Sequence, residues 1–351
     1  MRDGSAVSRR NISIEYSPCL PEIQHQRASL QLDMHRSAFL FAAVAIAAIV
    51  GCAQCRTAPD SSLLSTPVGS YKPETDISSW LSISDTVKDI KSYMTNGQFQ
   101  EAYTTYVGSI VQRLGQGEGL SGPVFDTFSA YFGSKDFNDA YLMTTAFTQL
   151  EMAALAEMVE KTVQDAIPVQ AVLSNCYRGA VSGDQAAWDA CAAAYIGSPS
   201  SSSATIYERA EKRARNYGTF TSSGSAVVNE EVLRALNEDA GPGPYETVVK
   251  QIKIIYAQAT VRYAFLLDED MEDGLSTVDH RAEGQAFYRI IAPWLKAASP
   301  ACDEAVGKIY NYRYSLPKGG MYCTSMCIPG VLGLSDAEFG TLERTSEVAC
   351  A

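Results

Sequence analysis

Histidine is almost missing from this chain, with only three among 351 residues. Two of them, His25 and His35, stand upstream of or within an apolar leader, so His280 is the one imidazole of the remainder. Zinc catalysis built on several histidines is therefore improbable from composition alone. Basic charge is also short, with Lys+Arg 28 against Asp+Glu 40 and a net charge of −12, which argues against nucleic acid or an anionic membrane as partner. No GxSxG elbow, phosphate-binding loop or Cys–His pair occurs, and strand-like alternation is scarce. After the leader there is no N-glycosylation sequon, the single one being at Asn11.

Long apolar runs are lacking too, except one. Residues 38–51, "AFLFAAVAIAAIVG", have the length of a signal-peptide core and are short for a membrane span. Met34, His35 and Arg36 form a short basic start, and small residues follow at Gly51 and Ala53. We read residues 1–56 as an upstream extension plus signal peptide, with Met34 as initiator and cleavage between about 51 and 58. An uncleaved signal anchor and a lipoprotein-type box ending at Cys52 are the competing readings. The remainder is expected to be secreted, periplasmic or at the cell surface, without a membrane span.

Cysteine usage agrees with export. Beyond Cys19, Cys52 and Cys55 an even set remains: Cys176, Cys191, Cys302, Cys323, Cys327 and Cys350. In an oxidising compartment these imply up to three disulfides, whose pairing the sequence leaves open. A local clasp between Cys176 and Cys191 across "RGAVSGDQ" is the simplest bridge. "CTSMC" has the wrong spacing for a redox CxxC, and disulfides are preferred over a zinc knuckle.

The roughly 295 residues after the leader can bury a substantial core. Residues 57–75 read as a polar, Pro-punctuated linker. Residues 76–345 read as an all-α domain, a helical array whose two related halves would be 76–168 and 169–297. Residues 298–351 read as an irregular, disulfide-pinned strap rich in Tyr, Gly, Pro and Cys. Asp76 or Ser79 can cap a first helix carrying Trp80, Val87, Ile90 and Met94, stopped at Asn96-Gly97. A second helix follows in "QFQEAYTTYVGSI", and a long third one over 137–166 is expected to end before Pro168. The duplication rests on "QFQEAYTTYVGS" and "AWDACAAAYIGS", which pair Phe99 with Trp188, Tyr106 with Tyr195, and Gly108-Ser109 with Gly197-Ser198. Each reads as a helix with an aromatic ridge, closed by a glycine in the left-handed conformation.

The chemistry concentrates in two late helices. Val249, Ile252, Tyr256, Ala259, Tyr263 and Leu266 form a buried stripe that runs into the acid run Asp268–Asp273. Acids oppose a helix C-terminus unless a cation or the next helix's N-terminus lies near. In the next helix Asp279 or Thr277 stands at the cap, and His280, Glu283, Phe287, Ile290 and Trp294 share one face. A buried imidazole and carboxylate need partners, and His-x-x-Glu is a spacing with which bundles offer two ligands to one metal. Glu151 sits beside the apolar face of the long third helix and is the candidate oxygen ligand from the first half, whereas Glu157 and Glu160 read as surface acids.

The stretches "IIYAQATVRYAFLLDEDM" and "DHRAEGQAFYRIIAPWL" resemble the algal Fe-assimilating, low-iron-inducible periplasmic proteins and their phytotransferrin relatives, over about 75–345. The paired elements around Tyr106 and Tyr195 look like that family's repeated unit. The resemblance implies an exported helical protein of a unicellular alga that captures ferric iron, with carbonate as partner anion and a cell-surface reductase or receptor as partner, and not an enzyme. On donor chemistry, Tyr263, His280, Glu283, Asp279 and Glu151 are the candidate ligands for this hard cation, and Arg262 or Arg281 the candidate fork for carbonate. Two other classes compete. The His280–Glu283 pair is similar to that of imelysin-like bacterial proteins, which would make a metal-binding protein or metallohydrolase. A structural cell-wall protein would use the pair only to satisfy itself.

Overall fold

Helix periodicity in the sequence becomes helix nearly everywhere in the computed structural model, which describes residues 63–111, 122–133, 153–198, 204–345 and 350. The chain divides into Met1–Arg56 and Thr57–Ala351, and every described residue belongs to the second unit. The fold is all-α, with one two-stranded antiparallel hairpin, β1 (Leu64–Thr66) and β2 (Gly69–Tyr71). Among the described residues no helix is long and apolar enough to cross a membrane.

That hairpin corrects the expectation of a linker over 57–75. Asp189, fully buried, accepts the Tyr71 hydroxyl at 2.5 Å, the backbone N–H groups of Glu74 and Thr75, and the Thr75 hydroxyl. A carboxylate out of water needs this many donors, and the hairpin and the turn after it supply them.

The first helix, α1 (Ser78–Thr95), buries Val87, Ile90 and Met94 as its spacing predicts, with Ile83 beside them, while Trp80 is half-buried. The second, α2 (Phe99–Thr105), passes into a π turn over Tyr106–Val111. Gly108 therefore lies inside a helix, while Gly197 closes its own with φ 76°. The two halves of the suspected repeat end differently, although Tyr106 and Tyr195 are both buried.

After α3 (Pro123–Phe132), α4 (Ala153–Lys161) runs through a second π turn, Thr162–Ala166, straight into α5 (Ile167–Ser182). The predicted stop before Pro168 does not occur. A regular α turn would drive the proline ring against the carbonyl of Gln164; the wider π turn just before it removes that clash. A disulfide, Cys176–Cys191, joins α5 to α6 (Gln185–Ile196).

Then come α7 (Ile206–Tyr217) and α8 (Val227–Leu236). The long α9 (Pro242–Glu272) is buried on almost every side from Ile252 to Leu267, the mark of a central helix. The chain turns at Gly274 and returns along it as α10 (Val278–Ala298). Helices α5, α7 and α8 pack against α9, and α3 and α4 against α10. A smaller apolar cluster joins α1, α2 and α4 through Ile90, Tyr106, Ile110, Val159 and Val163.

The strap expected over 298–351 is more regular than its composition implied. It opens with a full helix, α11 (Pro300–Tyr310), capped by the Ser299 hydroxyl. Three short helices follow, α12 (Met321–Ser325), α13 (Cys327–Val331) and α14 (Asp336–Phe339). Disulfides Cys302–Cys327 and Cys323–Cys350 pin it, so all six cysteines pair.

Gly284 is where α10 admits Tyr310, whose hydroxyl donates to the carbonyl of Thr260 at 2.5 Å. A Cβ at Gly284 would stand 2.2 Å from a Tyr310 ring carbon and 3.0 Å from Cβ of Tyr263. Gly284→Ala is expected to destabilise the fold by about 1–3 kcal/mol, as overpacked cores do. Denaturant unfolding checks this; an unchanged midpoint would mean that the two tyrosines are free to move aside.

Candidate functional site

Lys161 stands at the last residue of α4, with its ammonium largely out of water. Three carboxylates surround it: Glu160 at 2.8 Å, Glu283 of α10 at 2.8 Å and Glu157 at 3.5 Å. Lys91 of α1 adds a second contact to Glu160 at 3.0 Å. Burial works against each of these charges, yet opposite charge wins: Glu283 and Glu160 hold Lys161 above the ordinary lysine value, and Lys161 holds both carboxyls below theirs. Glu157 differs, because burial outweighs Lys161 there and its carboxyl is raised.

The phenol of Tyr263 on α9 lies beside Glu283 and helps to hold that carboxyl down. Burial, with the adjacent Glu283 charge, pushes that phenol up to about 12. Its ring centroid is 5.8 Å from that of His280. His280 lies at the rim with its side chain 35% exposed, and its Nδ1 meets the buried Asp270 carboxylate at 2.7 Å. The acid run thus finds the partners its position demanded. Asp270 takes His280, Asp268 accepts the first N–H groups of α12 from Met321 and Tyr322, and Glu269 pairs with Arg344.

Deeper in, Asp165 of the π turn accepts both N–H groups of the Arg209 fork, at 2.8 and 2.7 Å, and the Tyr256 hydroxyl at 3.1 Å. The Arg209 guanidinium lies 5.0 Å from the centre of the Phe287 ring. One helical turn on, Arg213 is 4% exposed, and its Nε and Nη1 have no hydrogen-bond partner. Burial first, then the charge of Arg209, pushes it down to about 10.

Of the residues singled out in the sequence, Tyr263, His280 and Glu283 come together. Asp279 does not: it lies exposed in the first turn of α10. Thr277 occupies the cap position without a side-chain cap bond. Glu151 lies outside the described residues. Arg262 places its guanidinium 5.4 Å from the centre of the Tyr263 ring. Arg281 is committed elsewhere, donating to the backbone carbonyls of Ile309, Asn311 and Tyr314, so it ties α10 to the strap. Glu160, expected at the surface, is buried because Lys161 and Lys91 bracket it.

Sequence reading missed Lys161, Asp165, Arg209 and Arg213. A signal for the arginines was there: both share the buried stripe of α7 with Ala210, Ala214 and Tyr217. Among the described residues, no three His, Cys, Asp or Glu side chains form a ready metal-holding group. What the arrangement offers is a set of hard oxygen donors around an ammonium, with a phenol and an imidazole alongside. No protein-family model, curated protein or solved structure matches the chain.

Glu160 and Glu283 sit below the ordinary carboxyl value of 4.5 when folded. Their contribution to stability is complete above that value and is lost as pH falls through the lowered ones. Lys161, raised, contributes at every pH below the ordinary lysine value, so neutral pH lies on a plateau. Melting temperature should drop from about pH 5 toward pH 3. Lys161→Met should lower it at pH 7, by the equivalent of about 2–4 kcal/mol for a largely buried pair that loses one partner, and should flatten the acid slope. Thermal melts followed by circular dichroism read both, and a variant with the wild-type slope would free Lys161 of this role.

Proposed function

We propose that the chain is an exported ferric-iron-binding protein of iron assimilation, not an enzyme, and that Tyr263, Glu283, Glu160 and Glu157 supply its donors with His280 at the entrance. The observation that carries this reading is the convergence of three carboxylates on one ammonium, with the Tyr263 phenol beside one of them, Glu283. The place held by Lys161 is the place a hard cation would take. Ferric iron favours phenolate and carboxylate oxygen, and its charge would deprotonate Tyr263, whose raised value otherwise keeps it neutral. Loading therefore releases protons and weakens in acid.

The resemblance of the 249–295 region to the low-iron-inducible and phytotransferrin proteins supports the same reading, as do the leader and the three disulfides. Carbonate as partner anion, and a cell-surface reductase or receptor, belong to the proposal through that resemblance. Arg262, stacked on Tyr263, is then better placed for the anion than Arg281.

One other reading has an observation behind it. Lys161 already satisfies its carboxylates, so the cluster is also what a purely structural ion network looks like. Titration of the metal-free chain with ferric ion, delivered as a weak chelate in bicarbonate buffer, separates the two. Iron binding should bring a visible tyrosinate-to-iron absorption band, Tyr263→Phe should abolish it, and Lys161→Met, by removing the competing charge, should tighten binding at least tenfold. A wild-type chain that retains no iron would leave the structural reading, and zinc retention with hydrolysis would favour a metallohydrolase.

A further inference from the structure

Arg213 poses a problem the iron reading does not address. It lies on α7 four residues after Arg209, so the two guanidiniums face the same interior, where like charges repel. Arg209 is neutralised because Asp165 takes both sides of its fork. Asp165 is then occupied, and Glu283 is held by Lys161 and Tyr263. The largest charge effects on Arg213 come from Arg209, Tyr263, Arg262 and Tyr217. Two are cations, and the other two are phenols held neutral by burial. A guanidinium stays charged near neutral pH, and leaving it buried with two bare nitrogens is strongly unfavourable. Arg262 adds to the surplus, since among the described residues no carboxylate pairs with it.

We propose that Arg213, with Arg262 beside it, binds a small inorganic oxyanion taken from solution, and that it does so without any metal. The chemistry is that of a planar, permanently charged fork offering N–H donors to oxygen in a site largely shielded from water, which favours phosphate, sulfate or bicarbonate over chloride. The site shares Arg262 with the carbonate part of the iron reading but takes its anion through Arg213 and needs no metal, so binding to the metal-free chain tests it separately.

The test uses the full chain stripped of metal by a chelator, with thermal melts in inorganic phosphate, sulfate and bicarbonate against chloride at constant ionic strength. At least one oxyanion should raise the melting temperature with a saturating dependence, at least tenfold more tightly than chloride. Comparing the arms tells a tetrahedral from a planar ligand. Arg213→Met should remove the saturating response and, in chloride, melt no lower than wild type, because an unpaired buried charge has gone. Arg213→Lys keeps the charge but not the fork and should weaken the response at least tenfold, which keeps the proposal testable if the methionine variant folds poorly. Lys308→Met, at an exposed position, should leave the response intact. A response equal for all anions, or one unchanged in both Arg213 variants, would overturn the assignment.

Discussion

Lys161 carries its ammonium into a space where α4 and α10 would otherwise hold poorly paired carboxylates. One charge there satisfies groups that arrive from two separate stretches of chain, and Lys91 of α1 adds a second cation. Four residues on, Asp165 does the reverse, taking the cation of α7 and the phenol of Tyr256 on α9. The π turn between them carries Asp165, and thus one side of a single helix presents a cation to one neighbour and an anion to the others. Breaking either clamp would strand charge inside the body, which a helical core tolerates far less than a lost methyl group.

Much of the fold was legible. The stripe of α9, the helix containing His280 and Glu283, and the Cys176–Cys191 clasp follow from spacing and need no knowledge of neighbours, whereas α1 has Ile77 at its cap position, without the side-chain cap expected of Asp76 or Ser79. The failures have physical reasons. Pro168 reads as a terminator because the rule assumes an α turn ahead of it, and the π turn breaks that assumption. Residues 57–75 read as a linker because their anchor, Asp189, is more than a hundred positions away.

At the site the aromatic, the imidazole and one carboxylate were legible in the sequence, since these ride a visible apolar stripe. The cations were hidden. Lysine and arginine are expected outside, so Lys161 and Arg213 look like ordinary surface charges until the packing of α10 and α9 closes over them. Arg281 misled in the opposite sense: a fork suited to an anion spends its donors on three carbonyls and staples the strap to α10.

The two C-terminal disulfides have a topological consequence. The loops closed by Cys302–Cys327 and Cys323–Cys350 overlap between residues 323 and 327. A single backbone cut anywhere from 302 to 350 therefore leaves both fragments covalently joined. That end of the molecule survives a nick as one piece, and two cuts on well-chosen sides are needed to shed any of it.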